Sequence, residues 1–335
     1  MYTELVKPLV SIVIPTIHRP RLVTRAVRSA LIQTVSEIEI IVIVDGPDSA
    51  SLTALDQVQD RRLRVRPLAR NVGLGGAINA GVEMAQGRWI ALLDDDDEWL
   101  PRKLEIQLKQ ANRSRYADPI ICCRLIARTE AGDLVWPRRY PAPGEALSEY
   151  LFCQHDLQGG EGAVLPSSVL TTRALLQRVP WRVGLPRLND FDWLLRVADA
   201  EGVQPEFVPW DDPLVIYHRE ESRKRIGTSD DWQYCRDWLE ASRHLVTERA
   251  FASFLLTVAS MTAARSKHRK AFWVLLCDAF RQGKPSRIDI LAHLIIWLIP
   301  SKLRTRIAVL LDMNGWSHFT RKRSRKRNVG SPKEG

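Results

Sequence analysis

Four carboxylates stand in a row at Asp94–Asp97, between the apolar run Trp89–Leu93 and the residues Glu98-Trp99-Leu100-Pro101. Two unit charges about 4 Å apart repel by roughly 4 kcal/mol at an effective dielectric near 20. Water, a cation or a helix N-terminus must offset that. Mn²⁺ and Mg²⁺ take hard oxygen ligands, usually one or two carboxylates completed by phosphate oxygens and water. The plainer reading is a solvated acidic turn that caps the helix starting at Pro101. A second acidic pair, Asp190 and Asp192, lies in "LNDFDW" at the start of a helix-like segment. A carboxylate within hydrogen-bond reach of a hydroxyl can take its proton as a new bond forms. Residues two apart on a helix point about 200° apart, so only one of these two can face a site. Helix capping by Asn189 or Asp190 is the plain alternative. A single aspartate, Asp45, follows another apolar run in "VIVDGPD", where it could be no more than a turn residue before Gly46 and Pro47.

Elements that could position these groups are legible in the first hundred residues. Apolar runs at Leu9–Ile14, Ile38–Val44, Leu63–Leu68 and Trp89–Leu93 read as strands. Between and after them, Arg21–Gln33, Ser49–Gln59, Gly75–Gln86 and Pro101–Asn112 read as helices, and proline suits the first turn of the last. This alternation predicts an α/β fold with a mostly parallel sheet covered on both faces. Ligands of such sheets bind at the carboxyl ends of the strands. Four stretches sit there: "PTIHRP", "DGPD", "ARNVGLGG" and "DDDD". From about Pro119 to Tyr217 the pattern is mixed. Short strands are expected at Ile120–Ala127, Ala163–Leu170, Pro205–Val208 and Leu214–Tyr217, with helices around Leu147, Leu175 and Trp193. Beyond Ser229 only helices are expected, over Asp230–Leu245, Ala250–Arg265, His268–Arg281 and Ile288–Ile299.

"GLGGAINAG" at Gly73–Gly81 is not a dinucleotide fingerprint, because Ile78 occupies the third glycine's place and the stretch follows the third strand. Taken in order, however, "VSIVIPTIHRPRLVTRAVRSALIQT", "EIIVIVDGPD", "NVGLGGAINAGVEMAQGRWIALLDDDDEWLPRKL" and "LPSSVLTTRALL…LNDFDWLLRVA" resemble the family 2 glycosyltransferases over residues 8–225. The resemblance implies the GT-A fold. It also implies inverting transfer of a sugar from a nucleotide-diphosphate donor to an acceptor hydroxyl with a divalent cation, Mn²⁺ or Mg²⁺. The family's DxD motif falls on Asp94-Asp95-Asp96. On that register Asp96 is the metal ligand and Asp94 or Asp95 holds the ribose, with an ambiguity of one position. Asp45 matches the aspartate that accepts a uracil N–H, although Val44 replaces the second aspartate common there. Pro15 and Thr16 would contact the base, and Arg70 would offset diphosphate charge or lie solvated on the surface. The family's base is the Asp of a Glu-Asp pair, which here is Asn189-Asp190, so Asp190 is the catalytic candidate. Ser167 and Ser168 match a segment bordering the acceptor, Trp193 could stack on sugar or pack in the core, and His218 is a second candidate metal ligand. A UDP-sugar donor and a glycan or lipid-linked acceptor follow from the same resemblance.

The loss of strand signals beyond Ser229 puts a boundary near Gly227, so that a glycosyltransferase domain is expected over 1–227, with a nucleotide-binding half at 1–115 and an acceptor half at 116–227. A helical extension at 228–316 and a basic disordered tail at 317–335 lie beyond it. The 335 residues carry 49 Lys and Arg against 39 Asp and Glu, a net charge of +10 that calls for an anionic partner. "IDILAHLIIWLIP" is too short to span a bilayer but long enough to lie in its interface, and "RKRSRKR" at Arg321–Arg327 would attract anionic lipid. A small helical bundle with a solvated tail is the alternative. Nucleic acid is not expected as a partner, since the basic run has no interleaved aromatics. The five cysteines form no CxxC pair and no secretory leader precedes the first strand, so the expected location is cytoplasmic, peripheral on the inner face of the membrane. Two rival functions stay open. A nucleotidyltransferase would need a Gly-rich phosphate loop that "IPTIHRP" lacks, and a non-catalytic basic membrane- or nucleic-acid-binding protein would bind without turnover.

Overall fold

A computed structural model describes residues 7–209, 213–219 and 231–311. β1 (Val10–Thr16), α1 (Pro20–Leu31), β2 (Ile38–Val44), α2 (Ser49–Asp56), β3 (Leu63–Pro67), α3 (Gly73–Met84) and β4 (Trp89–Leu92) alternate as the apolar runs require. Every residue of β1 and β2 is buried, as strands covered on both faces must be. α1 begins at Pro20 and buries Val23, Ala26, Val27 and Ala30, a helical stripe with 3–4 spacing. α3 approaches β1 so closely that a Cβ on Gly81 would lie 2.4 Å from a methyl of Val13.

After β4 come β5 (Asp97–Trp99), α4 (Lys103–Ala111), β6 (Ile120–Cys122), β7 (Leu125–Thr129), β8 (Gly132–Trp136) and α5 (Leu147–Phe152). β9 (Leu170–Thr172), α6 (Arg173–Arg178), α7 (Asn189–Glu201), β10 (Pro205–Phe207) and β11 (Val215–His218) complete the mixed region. The main sheet has the order β10-β6-β9-β4-β1-β2-β3, and β5-β11-β7-β8 form a second sheet of four strands. β1 pairs in parallel with both β2 and β4, whereas β9 runs antiparallel to β4 and β6.

Two expected strands are corrected. Ile120–Ala127 is not one strand: it breaks at Cys123 and Arg124, so that β6 joins the main sheet and β7 the second. The Ala163–Leu170 stretch contains a 3₁₀ turn at Pro166–Ser168, where proline withholds its N–H, and only the residues from Leu170 onward pair as β9. The β7–β8 hairpin was not anticipated.

The C-terminal helices are α8 (Trp232–Ala241), α9 (Glu248–Phe254), α10 (Ser260–Arg265), α11 (Lys270–Gln282) and α12 (Arg287–Leu298). A π-helical turn over Leu255–Ala259 joins α9 to α10, and residues 301–311 are helical again. Alternate residues of β1 feed two cores. Val13 belongs with α3, α5, α7 and helices α8 to α11; Val10, Ile12 and Ile14 belong with α1, α4 and the second sheet. The basic run expected at Arg321–Arg327 and the boundary expected near Gly227 lie outside the described residues.

Candidate functional site

The chain leaves β1 outward to β2 and β3, then returns to β4 on β1's other side. This reversal opens a crevice at the carboxyl ends of β1 and β4, where doubly wound sheets bind ligands. A cleft of about 200 Å³ lies there. Pro15, Thr16 and Arg19 line it from the end of β1, Asp45 from the end of β2, Asn71, Gly73 and Ala77 from α3 and its approach, and Asp94, Asp95 and Asp96 from the end of β4.

The four aspartates divide into two roles. Asp95 turns toward β1: the Thr16 hydroxyl donates to its Oδ2 at 2.7 Å and the Arg19 guanidinium to its Oδ1 at 2.8 Å. Arg19 also reaches Asp96 at 3.3 Å, and Arg25 on α1 donates to the Asp96 carbonyl at 2.8 Å. Asp94, Asp96 and Asp97 form a group of their own, each placing one carboxylate oxygen within 4.8 Å of the others. Asp97 is fully buried, accepts from the Ser167 hydroxyl at 2.6 Å, and opens β5. Ser167 Oγ in turn accepts the Asp94 N–H at 3.0 Å. The arginines, hydroxyls and backbone thus offset part of the repulsion, and the remaining three-carboxylate cluster is a set of hard oxygen donors suited to a divalent cation. The Asp94 carboxylate accepts no hydrogen bond from the described residues, which leaves it available as a ligand.

Charge in the cluster is costly without a cation. Burial holds Asp94 well above the usual carboxylate range, with Asp97, Asp96, Asp95 and Asp190 adding to the effect. Burial likewise pushes Asp95 up to about 6, with Arg19 and Thr16 pulling against it.

Asp190 lies at the start of α7, half-buried, with its carboxyl raised by burial. Its charge adds to the upward shift of Asp94. Leu188, just before α7, adopts a left-handed φ of 64°, uncommon for a bulky residue and of the kind found at functional sites. Asp192 points elsewhere. It is buried against Arg196 at 2.8 Å, Arg182 at 3.0 Å and the Trp238 indole at 3.3 Å.

The remaining candidate residues are placed as follows. Ser167 and Ser168 do not present hydroxyls to an open acceptor pocket: both are buried, Ser167 on Asp97 and Ser168 on the Leu165 carbonyl. Trp193 is a core residue, since its indole donates to the Val179 carbonyl at 2.8 Å and stacks on Trp181 with centroids 5.4 Å apart. Arg70 is exposed and does not line the cleft. His218 is held by Glu98 at 2.7 Å and is not part of the carboxylate cluster, while its neighbour Tyr217 lines the cleft. Asp45 accepts the backbone N–H groups of Val72 at 2.7 Å and Gly73 at 3.0 Å, so it fixes the start of α3 at the cleft wall. Arg19, Arg25 and Asp97 were missed. "HRPRLVTR" showed clustered arginines, but nothing local ties them to carboxylates more than 70 residues away.

Residues 11–178 match the family model described as glycosyl transferase family 2. The chain is 27% identical over 203 residues to an uncharacterized glycosyltransferase of Methanocaldococcus jannaschii, a match covering 58% of this chain and 67% of that protein. It is 37% identical over 105 residues to the succinoglycan biosynthesis protein ExoO of Rhizobium meliloti, covering 31% of this chain and only 30% of that one. Among solved structures, the mannosyltransferase PcManGT of Pyrobaculum calidifontis, in complex with GDP-Man and Mn²⁺, superposes with a TM-score of 0.54 at 13% identity, covering 91% of this chain and 85% of that one. S. aureus TarS 1-349 in complex with UDP-GlcNAc superposes at 0.53 and 15% identity, covering 86% and 90%. These likenesses establish a shared fold.

Proposed function

Because the chain belongs to glycosyl transferase family 2 and is a glycosyltransferase, we propose that it moves a sugar, with inversion, from a nucleotide-diphosphate donor to a hydroxyl of a glycan or lipid-linked acceptor. The observation that carries this reading is the convergence of Asp94, Asp96 and Asp97 beside a cleft at the β1–β4 crevice. A nucleotide fits the cleft between Pro15, Thr16 and Asp45. Each Asp45 oxygen spends one lone pair on α3 and keeps another for a base N–H. The donors in the two structural neighbours' complexes, UDP-GlcNAc and GDP-Man, make both UDP- and GDP-sugars candidates.

Asp94, Asp96 and Asp97 would hold Mn²⁺ or Mg²⁺, which stabilises negative charge on a departing diphosphate. Arg19, at the same edge, is placed to share that charge. Asp190 accepts the acceptor's hydroxyl proton as the oxygen attacks the anomeric carbon. The bond from that carbon to the diphosphate oxygen breaks, and the diphosphate leaves with the electron pair. Attack from the side opposite the leaving group inverts the centre. Burial that raises Asp190 makes it a better proton acceptor once ionised.

The test is titration calorimetry of UDP- and GDP-sugars with and without Mn²⁺, followed by nucleotide-release assays on any donor that binds. Metal-dependent binding of one donor is expected, lost on Asp96→Ala while the fold is kept. Absence of nucleotide binding with and without metal would overturn the reading.

A further inference from the structure

Residues 267–311, which form α11, α12 and the helix at 301–311, have a surface unlike the rest of the molecule. Fifteen large apolar side chains are exposed among the described residues, and ten of them fall here: Trp273, Val274 and Phe280 on α11, Leu291, Leu294 and Leu298 on α12, and four on the last helix. On each helix they follow helical spacing opposite the buried side. α12 buries Asp289, His293 and Ile296, and exposes Leu291, Leu294 and Leu298. α11 and α12 are joined by Phe272, whose ring meets His293 and Trp297.

Charge on the same segment has one sign. It holds nine Lys and Arg residues and two carboxylates, Asp278 and Asp289. Both carboxylates are buried, Asp278 paired with Arg236 and Asp289 in the capping box of α12. All the exposed formal charge of the segment is therefore positive.

We propose that the exposed apolar stripes of these three helices are a docking surface for an anionic phospholipid bilayer, lying in the headgroup–acyl boundary. This inference is independent of the transfer reaction. Helix length sets the mode: no helix among the described residues is long and apolar enough to cross a membrane, and α12 spans only about 18 Å. Large apolar patches mark protein or membrane contacts. Charge decides between them here. Every exposed formal charge on the segment is positive, and Lys270, Arg281, Arg287 and Arg306 are exposed on these helices, as long cationic side chains are beside apolar faces at anionic lipid.

Cys277 supplies the probe. It is the one exposed cysteine, on α11 one turn beyond Trp273. The full chain, labelled there with an environment-sensitive fluorophore, is mixed with vesicles of phosphatidylcholine with and without phosphatidylglycerol. Binding to the anionic vesicles with a blue shift of the probe is expected, weakened by salt. Leu294→Ser and Leu298→Ser, both exposed and so harmless to the fold, each lower partitioning roughly tenfold. Replacing the basic residues of Arg321–Arg327 by glutamine lowers it without removing the blue shift. Vesicle binding with unchanged Cys277 emission would overturn the proposal, because the basic run alone would then suffice. A lipid-free dimer that Leu298→Ser dissociates would also overturn it, since a second copy would then cover the face.

Discussion

Asp190 and Asp192 sit two residues apart at the start of one helix and end in opposite surroundings. Asp192 anchors Arg182, Arg196 and Trp238 inside the protein, while Asp190 adds to the negative charge felt by Asp94. If Asp190 is the base, Asp190→Asn should lower transfer by about 10²–10⁴ with donor binding retained. The base acts ionised and its carboxyl is raised by burial. The acid limb of the pH–rate profile should therefore lie above the usual carboxylate range, with activity rising as pH rises through it, and should vanish in Asp190→Asn. Asp192→Asn should instead cost about 1–3 kcal/mol of stability by weakening buried charged contacts, read as a lower denaturant midpoint. A dead but fully stable Asp192→Asn would transfer the base role to Asp192.

At the scale of elements, the 3₁₀ turn Pro166–Ser168 ties the acidic end of β4 to the rest of the sheet. Ser167 holds Asp97 and the Asp94 backbone, the Trp99 indole donates to the Ser167 carbonyl at 2.9 Å, and Gln107 on α4 donates to the Ser168 carbonyl at 2.8 Å. Lys103 lies buried beneath, over the Trp99 ring and 2.7 Å from Gln107, and burial lowers its amine to about 8. Ser167→Ala should cost about 1–3 kcal/mol by removing a hydrogen bond to a buried carboxylate. Mn²⁺ affinity should fall more than donor-sugar selectivity changes. Calorimetry with Mn²⁺ checks this, and an unchanged metal affinity would refute the positioning role. The turn was hidden in the sequence because "LPSSV" reads as part of an apolar strand until pairing partners are known.

Across the whole molecule, the C-terminal helices share the core of the catalytic sheet. Phe152 on α5 packs edge-on against Phe191 of α7 at 5.0 Å and against Phe254 of α9 at 4.9 Å, and Trp238 of α8 lies tilted against Phe254 at 5.5 Å. A chain ending at Gly227 should lose that packing. Uncovering several large side chains at roughly 1.5–3 kcal/mol each exceeds what a marginally stable domain can absorb. Loss of near-ultraviolet dichroism and aggregation on gel filtration are expected, and a soluble truncated chain with cooperative unfolding would show that the two parts fold separately.

The alternation of β1 to β4 with α1 to α3 was legible because parallel strands buried on both faces must be continuous apolar runs, and Ile38–Val44 is one. The strand-end position of Asp94–Asp97 and Asp45 followed from the same periodicity, which is local. What the tertiary structure alone decided depends on contacts between distant residues. Arg19 and Thr16 meet Asp95 across more than 70 positions, and no nearby residue marks them as partners. Trp193 belongs to the core because Trp181 lies against it. Ile120–Ala127 changes sheets at Cys123 because β9 and β11 each claim one end, and an unbroken apolar run carries no sign of that division.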